Sequence, residues 1–247
     1  MKSKKKSDKR YRQQAAAAVI GFLTVNNRQA GGRWGNQMDV VVIGASGTIG
    51  KAIVQEALKR KHEVTVAVRS TETVMLEHER LKVVQVDVLD AASVAAAVAG
   101  HGEIISAYGP DPGREDDLLR AADSLIEGLR QAGVERLIIV GGAGSLKTES
   151  GEWLMDTADF PEELRPLAAA HAHAYEVYRS SALDYTYISP PAAVIAGRRT
   201  GMFRIGLDRL ITDENGESSI SVEDLAVAVV DELEEGNFSR ERFTVAY

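Results

Sequence analysis

From Met38 onward, two rhythms of apolar residues alternate along the chain. Short apolar runs read as strands buried on both faces: Val40–Ile43, Glu63–Val68, Leu81–Val86, Glu103–Ala107, Arg136–Val140, Tyr185–Ile188 and Arg242–Val245. Between them, apolar positions recur at helical spacing. Ile49, Ala52, Ile53 and Ala57 share a face over Thr48–Lys61, and Leu118, Ala122, Leu125, Ile126 and Leu129 share one over Asp117–Gln131. Ala91–Ala99, Glu162–Ser181 and a segment from Ser221 to Glu234 complete the expected helices, with Ser221-x-x-Asp224 as the start signal of the last. This alternation predicts an α/β protein with a doubly wound parallel sheet between two helical layers. Residues 38–247 form one expected domain. Residues 190–220 are irregular and Gly/Arg-rich, and we expect them to form a small substructure over the carboxyl ends of the strands.

The first strand–helix junction carries chemistry. Gly44-Ala45-Ser46-Gly47-Thr48-Ile49-Gly50 places three glycines at G-x-x-G-x-x-G spacing between an apolar strand and an amphipathic helix. Gly44 allows a sharp turn, Gly47 lets backbone approach a phosphate, and Gly50 lets helix and strand pack closely. The helix start offers free N–H groups and partial positive charge to an anion. Strand, glycine turn and helix in this order predict a Rossmann-type dinucleotide site.

Composition adds limits. With 247 residues, 45% of them hydrophobic, the chain can bury one sizeable core. It has no cysteine, which excludes disulfides and thiolate metal sites and fits a reducing, cytoplasmic setting. Residues 1–37 carry nine Lys/Arg against Asp8 alone, so the remainder of this −7 chain carries −15. That charge argues against nucleic acid and anionic membrane as partners. The basic start followed by the apolar run Ala15–Val25 invites a signal-peptide reading, but polar Asn26-Asn27-Arg28-Gln29 follows instead of a small-x-small site. We expect a basic, disordered extension ahead of a domain that begins at Met38.

Strand two ends Ala67-Val68-Arg69-Ser70-Thr71. An NAD site usually has an acid there for the ribose 2′-hydroxyl. An arginine and hydroxyl neighbours suit a 2′-phosphate, so NADP(H) is favoured over NAD(H), with Arg69 and Ser70 as contacts; the other reading is a solvated loop arginine. Asp87 and Val88 close strand three and face the adenine region; Asp87 could equally cap the next helix.

The whole pattern resembles the atypical short-chain dehydrogenase/reductases, and among them the NmrA-like NADH–flavin reductase family. The matching pieces are the glycine loop, Gly141-Gly142-Ala143-Gly144-Ser145-Leu146, Asp156-Thr157-Ala158-Asp159-Phe160-Pro161, Tyr185-Thr186-Tyr187-Ile188-Ser189-Pro190, Arg199-Thr200-Gly201, Ser219-Ile220-Ser221-Val222-Glu223-Asp224-Leu225-Ala226 and Arg242-Phe243-Thr244-Val245. The resemblance implies one Rossmann domain holding NAD(P)H, with a pocket over the strand ends. The wider superfamily uses a Tyr-x-x-x-Lys pair on the helix after strand five, the lysine lowering the tyrosine's pKa. Aligning Glu176 with the glutamate that commonly follows that lysine puts Ala168 and Ala172 in their places. Tyr175 and Arg179 have the right spacing but fall seven residues late.

A site without that pair suits hydride transfer to a flavin or quinone-like acceptor better than carbonyl reduction. Catalysis would rest on proximity and orientation. The expected walls are Ala107, Tyr108 and Gly109 after strand four, and Gly141 and Gly142 after strand five. Ser145, Ser189 and Pro190 are expected on the substrate, and Tyr108 is either a stacking platform or plain packing. Ser145 and His171 are the candidate catalytic groups. His171 and His173 point about 200° apart at their i, i+2 helical spacing, so no metal site is expected. Asp111, Asp116 and Asp117 look like a turn and helix start. Arg198 and Arg199 are either phosphate contacts or a surface pair. The expected partner is a small-molecule acceptor, on a monomer or homodimer. The rival reading is a non-catalytic, NADP(H)-sensing regulator that docks a partner protein.

Overall fold

The computed structural model describes residues 37–247; the expectation for residues 1–36 lies outside the described residues. Six strands run parallel in the order β3-β2-β1-β4-β5-β6: β1 Asp39–Ile43, β2 Glu63–Val68, β3 Leu81–Gln85, β4 Glu103–Ser106, β5 Arg136–Val140 and β6 Asp184–Ser189. β10, Glu241–Ala246, extends the sheet in parallel beside β6, and β8, Arg204–Gly206, closes it antiparallel. A two-stranded parallel ribbon of β7 (Ala193–Ile195) and β9 (Ser219–Ser221) stands apart.

The unbroken apolar runs of the inner strands are explained by burial on both faces, whereas the edge strand β3 is mostly exposed. Val40 and Val42 pack with α1 (Thr48–Lys59) and α5 (Val222–Glu235). Val41 and Ile43 pack with α2 (Ala91–Val98), α3 (Asp117–Ala132) and α4 (Arg165–Ser180). Period-2 alternation therefore sends apolar side chains into two separate cores, which is the layering the sequence predicts.

Two expectations need correction. The expected single helix Glu162–Ser181 is a 3₁₀ turn, Glu162–Leu164, followed by α4 with Pro166 in its first turn. A proline has no N–H and is tolerated there, where no intrahelical bond is lost. The supposedly irregular 190–220 contains β7, β8 and β9, each only three residues long. Such short strands give too few alternating positions to read, and their pairing is set by distant partners. Among the described residues, no helix is long and apolar enough to cross a membrane.

Candidate functional site

Sheet order decides where the site lies. β2 and β4 flank β1, so the loops after all three meet at the carboxyl end of β1. Gly44 leaves β1 with φ +81°, and an added Cβ would stand 2.6 Å from the Ala107 carbonyl oxygen. The Gly44 carbonyl accepts from Gly47 N–H at 3.1 Å, and α1 begins at once. Its cap, Gly47, offers no side-chain acceptor, and no acid stands in the first turn. Ser46, Gly47 and Thr48 are exposed and Ile49 is half-buried. The N–H groups of Thr48, Ile49 and Gly50 precede the first helical bond, Lys51 to Gly47. Open donors, partial positive charge and a cradle that excludes a Cβ fit a dinucleotide pyrophosphate.

Three loops carry the residues expected on the adenosine side. Arg69 is exposed, and its Nη1 and Nη2 lie 3.4 and 3.5 Å from Asp111 Oδ2. Ser70 stands beside it, also exposed. Asp87 is exposed too, accepts from Leu89 N–H at 3.0 Å and leaves the capping of α2 to Asp90, which accepts from Ala92 N–H at 2.9 Å. Val88 is 4% exposed, so its side chain belongs to the core, and its expected cofactor contact reduces to backbone.

Ala107 and Tyr108 are part-buried and Gly109 exposed along one wall. Burial, then Asp117, push the Tyr108 phenol above its ordinary value, so it stays protonated. Gly141, Gly142 and Ala143 form the facing wall and are part-exposed. An added Cβ at Gly142 would meet the His171 ring at 2.9 Å, so this histidine backs the wall. A small cavity beneath is lined by Ser106, Tyr108, His171, Tyr178 and Tyr187.

Burial pulls the His171 imidazole down to about 4 from its ordinary 6.5. At neutral pH it carries no transferable extra proton, which weakens it as an acid. Its unfolded form binds a proton that the folded form refuses between these two values, so stability falls as pH drops from 6.5 to 4. Urea unfolding of His171→Leu across that window should show a flatter pH dependence than the parent chain.

Three residues expected on the substrate side lie behind the wall instead. Ser145 is 7% exposed, and its hydroxyl accepts from Arg242 Nη1 at 2.9 Å. Arg242 is itself held by Asp208, at 2.6 Å, and stacks over Tyr175 at 4.8 Å from the ring centre. Ser189, at the end of β6 and paired in register with Thr244 of β10, is wholly buried, and its hydroxyl has no partner among the described residues. Pro190 is buried as well. No sequence signal joined Arg242 to Ser145, which lie 97 residues apart.

Ala168 and Ala172 are 8% and 7% exposed. A Cβ at Gly144 would lie 2.6 Å from the Ala168 Cβ, so a tyrosine side chain has no room there as the loop stands. The offset pair is also split: Tyr175 lies under Arg242, while Arg179 turns to Glu176 at 2.5 Å. Arg199 forms a two-pronged bridge to Glu56 on α1, both contacts 2.7 Å, and is thereby removed as a phosphate contact.

A family model described as NAD(P)H-binding matches residues 44–236. Three solved structures resemble the chain over most of both lengths, and each carries a provisional name. An "exported protein" from Burkholderia pseudomallei is 42% identical with a TM-score of 0.78, covering 85% of this chain and 100% of that one. An "epimerase" from Bacteroides thetaiotaomicron is 40% identical with a TM-score of 0.81, covering 86% and 98%. An "NADH-flavin reductase" from Streptococcus pneumoniae is 37% identical with a TM-score of 0.75, covering 85% and 99%. The glycine cradle, the strand order 3-2-1-4-5-6 and these matches agree, and the chain belongs to the NAD(P)H-binding family, consistent with the NmrA-like, atypical short-chain dehydrogenase/reductase group its motifs resemble.

Proposed function

We propose that this protein is an NADPH-dependent reductase that passes a hydride to a flat acceptor of the flavin or quinone class. The observation that carries the reading is the pair of small, buried side chains at Ala168 and Ala172, beside a histidine held neutral. Alanines stand where the superfamily's Tyr-x-x-x-Lys pair would, so the favoured acceptor is one whose reduced form spreads its charge and takes its proton from water. Bound reduced nicotinamide would supply the hydride. The chain's own part is to bind and orient: α1 and the glycine loop hold the phosphates, Arg69 and Ser70 face the 2′ position, and the Gly141–Ala143 and Ala107–Gly109 walls fix the gap in which the acceptor lies. The relative named as an NADH-flavin reductase supports the acceptor class. The cytoplasm, with its NADPH supply, is the proposed location.

Steady-state oxidation of NADPH in the presence of FMN, FAD and small quinones tests this directly. Turnover well above the protein-free rate with at least one acceptor is the expected result. Tight NADPH binding with no turnover on any of them overturns it and favours the sensing role.

A further inference from the structure

Two charges of opposite sign meet beside the proposed dinucleotide site. Arg69 follows β2 and Asp111 follows β4, on opposite sides of β1. Their side chains nevertheless meet, with Arg69 Nη1 3.4 Å from Asp111 Oδ2. The contact therefore spans the carboxyl end of β1, where the glycine loop begins. Both side chains are largely exposed, at 70% and 60%, so either can swing to a ligand at little cost. The strand-two end lacks the acid that usually reads a ribose diol, and Asp111 brings a carboxylate to the same place from the other side.

We propose that Arg69 and Asp111 together form a two-sided selector for the cofactor's 2′ substituent, Arg69 taking the 2′-phosphate of NADP(H) and Asp111 accepting from the ribose hydroxyl of NAD(H). This rests on the dinucleotide reading above and deepens it. The chemistry of the two ligands separates the roles. A phosphate near dianionic at neutral pH displaces the carboxylate from the guanidinium and is then repelled by it. A ribose hydroxyl is neutral: a carboxylate accepts from it, whereas a guanidinium can only donate to its oxygen, without the charge pairing that a phosphate offers. The described domain lies in a chain segment of net charge −15, so the Asp111 charge adds to an unfavourable field for the more anionic cofactor. Selectivity is then set by a contest between two exposed charges, and each cofactor remains admissible.

The test is fluorescence titration of the full chain with NADPH and NADH, for the parent, Asp111→Asn and Arg69→Gln. Asp111→Asn should tighten NADPH by about 5-fold and weaken NADH, the gain for NADPH shrinking in high salt. Arg69→Gln should weaken NADPH by about 10-fold and leave NADH within about 2-fold. Thermal melts should be unchanged for both, since both side chains are exposed. If Arg69→Gln shifts the ratio while Asp111→Asn changes both cofactors equally or neither, the selector is overturned and the NADPH reading stands. If the parent binds neither cofactor, the dinucleotide reading itself falls, and the selector with it.

Discussion

Gly50→Ala is expected to lower stability by about 3 kcal/mol and to weaken dinucleotide binding by about 100-fold. The added Cβ would fall inside the contact distance of the Gly44 carbonyl oxygen and 2.8 Å from the Ala45 Cα. These obstacles are backbone, so no side-chain rotation relieves them. The strand end and the first turn of α1 must separate, and that turn carries the N–H groups proposed to hold the phosphates. Gly47→Ala is the informative control. Its Cβ would lie 3.5 Å from the nearest atom, and its φ of −77° suits any residue. That variant should melt near the parent temperature yet lose affinity, because Gly47 is exposed at the proposed phosphate cradle. Thermal melts and NADPH titrations on the two variants separate packing from ligand approach. A Gly50→Ala protein with parental melting temperature and affinity would refute the close-packing account.

The contrast between these glycines also shows what the sequence could convey. Gly44 and Gly50 announce themselves because strand, turn and helix lie within a dozen residues, and local spacing encodes local geometry. The bounds of β2 and β5 were readable for the same reason, since a strand buried on both faces leaves an apolar run. Arg69 was legible as a charge at a strand end. Its partner Asp111 was not, because the proximity arises only when β4 pairs with β1 and brings a loop forty-two residues away beside it. Ser145 and Ser189 illustrate the same limit from the other side. Their positions after β5 and at the end of β6 suggested the ligand, but Arg242, from the far end of the chain, takes the Ser145 hydroxyl, and β10 pairs alongside Ser189. Polar contacts made by chain crossings have no sequence period.

Asp224 tests that conclusion most severely. Ser221-x-x-Asp224 looks like a capping box, and half of it forms: Ser221 Oγ accepts from Asp224 N–H at 3.0 Å. The carboxylate does not return to Ser221. Its Oδ1 accepts from the N–H groups of Thr200 and Gly201, each at 2.7 Å, and its Oδ2 from the Thr200 hydroxyl at 2.5 Å and the Tyr247 hydroxyl at 2.7 Å. Asp224 is wholly buried. Burial alone would raise its pKa, but the hydrogen bonds from Thr200, Gly201 and Tyr247 outweigh it and hold the carboxyl below its ordinary value. Its stabilising effect is therefore present above the unfolded pKa of about 3.9 and is lost as pH falls through the lower folded value.

Asp224→Ala removes the acceptor of the Thr200 and Gly201 N–H groups, while the Thr200 and Tyr247 hydroxyls keep Met202 O and Ser221 Oγ, and it should cost about 3 kcal/mol in urea unfolding at neutral pH. Tyr247→Phe, which removes one donor and leaves the carboxylate its other three, should cost about 1 kcal/mol. The larger change has a local reading too. The segment carrying Thr200 and Gly201 also carries Arg199, whose bridge to Glu56 ties it to α1, the helix proposed to hold the phosphates. Freed at one end, that tie loosens, and trypsin should cut at Arg198 or Arg199 at least about 10-fold faster than in the parent, since cleavage follows the population of the open segment. Asp224→Asn keeps the shape and some of the bonds, so it should fall between the two. Equal stability and equal cleavage for Asp224→Ala and the parent would show that the segment is held by its backbone and by Arg199 alone.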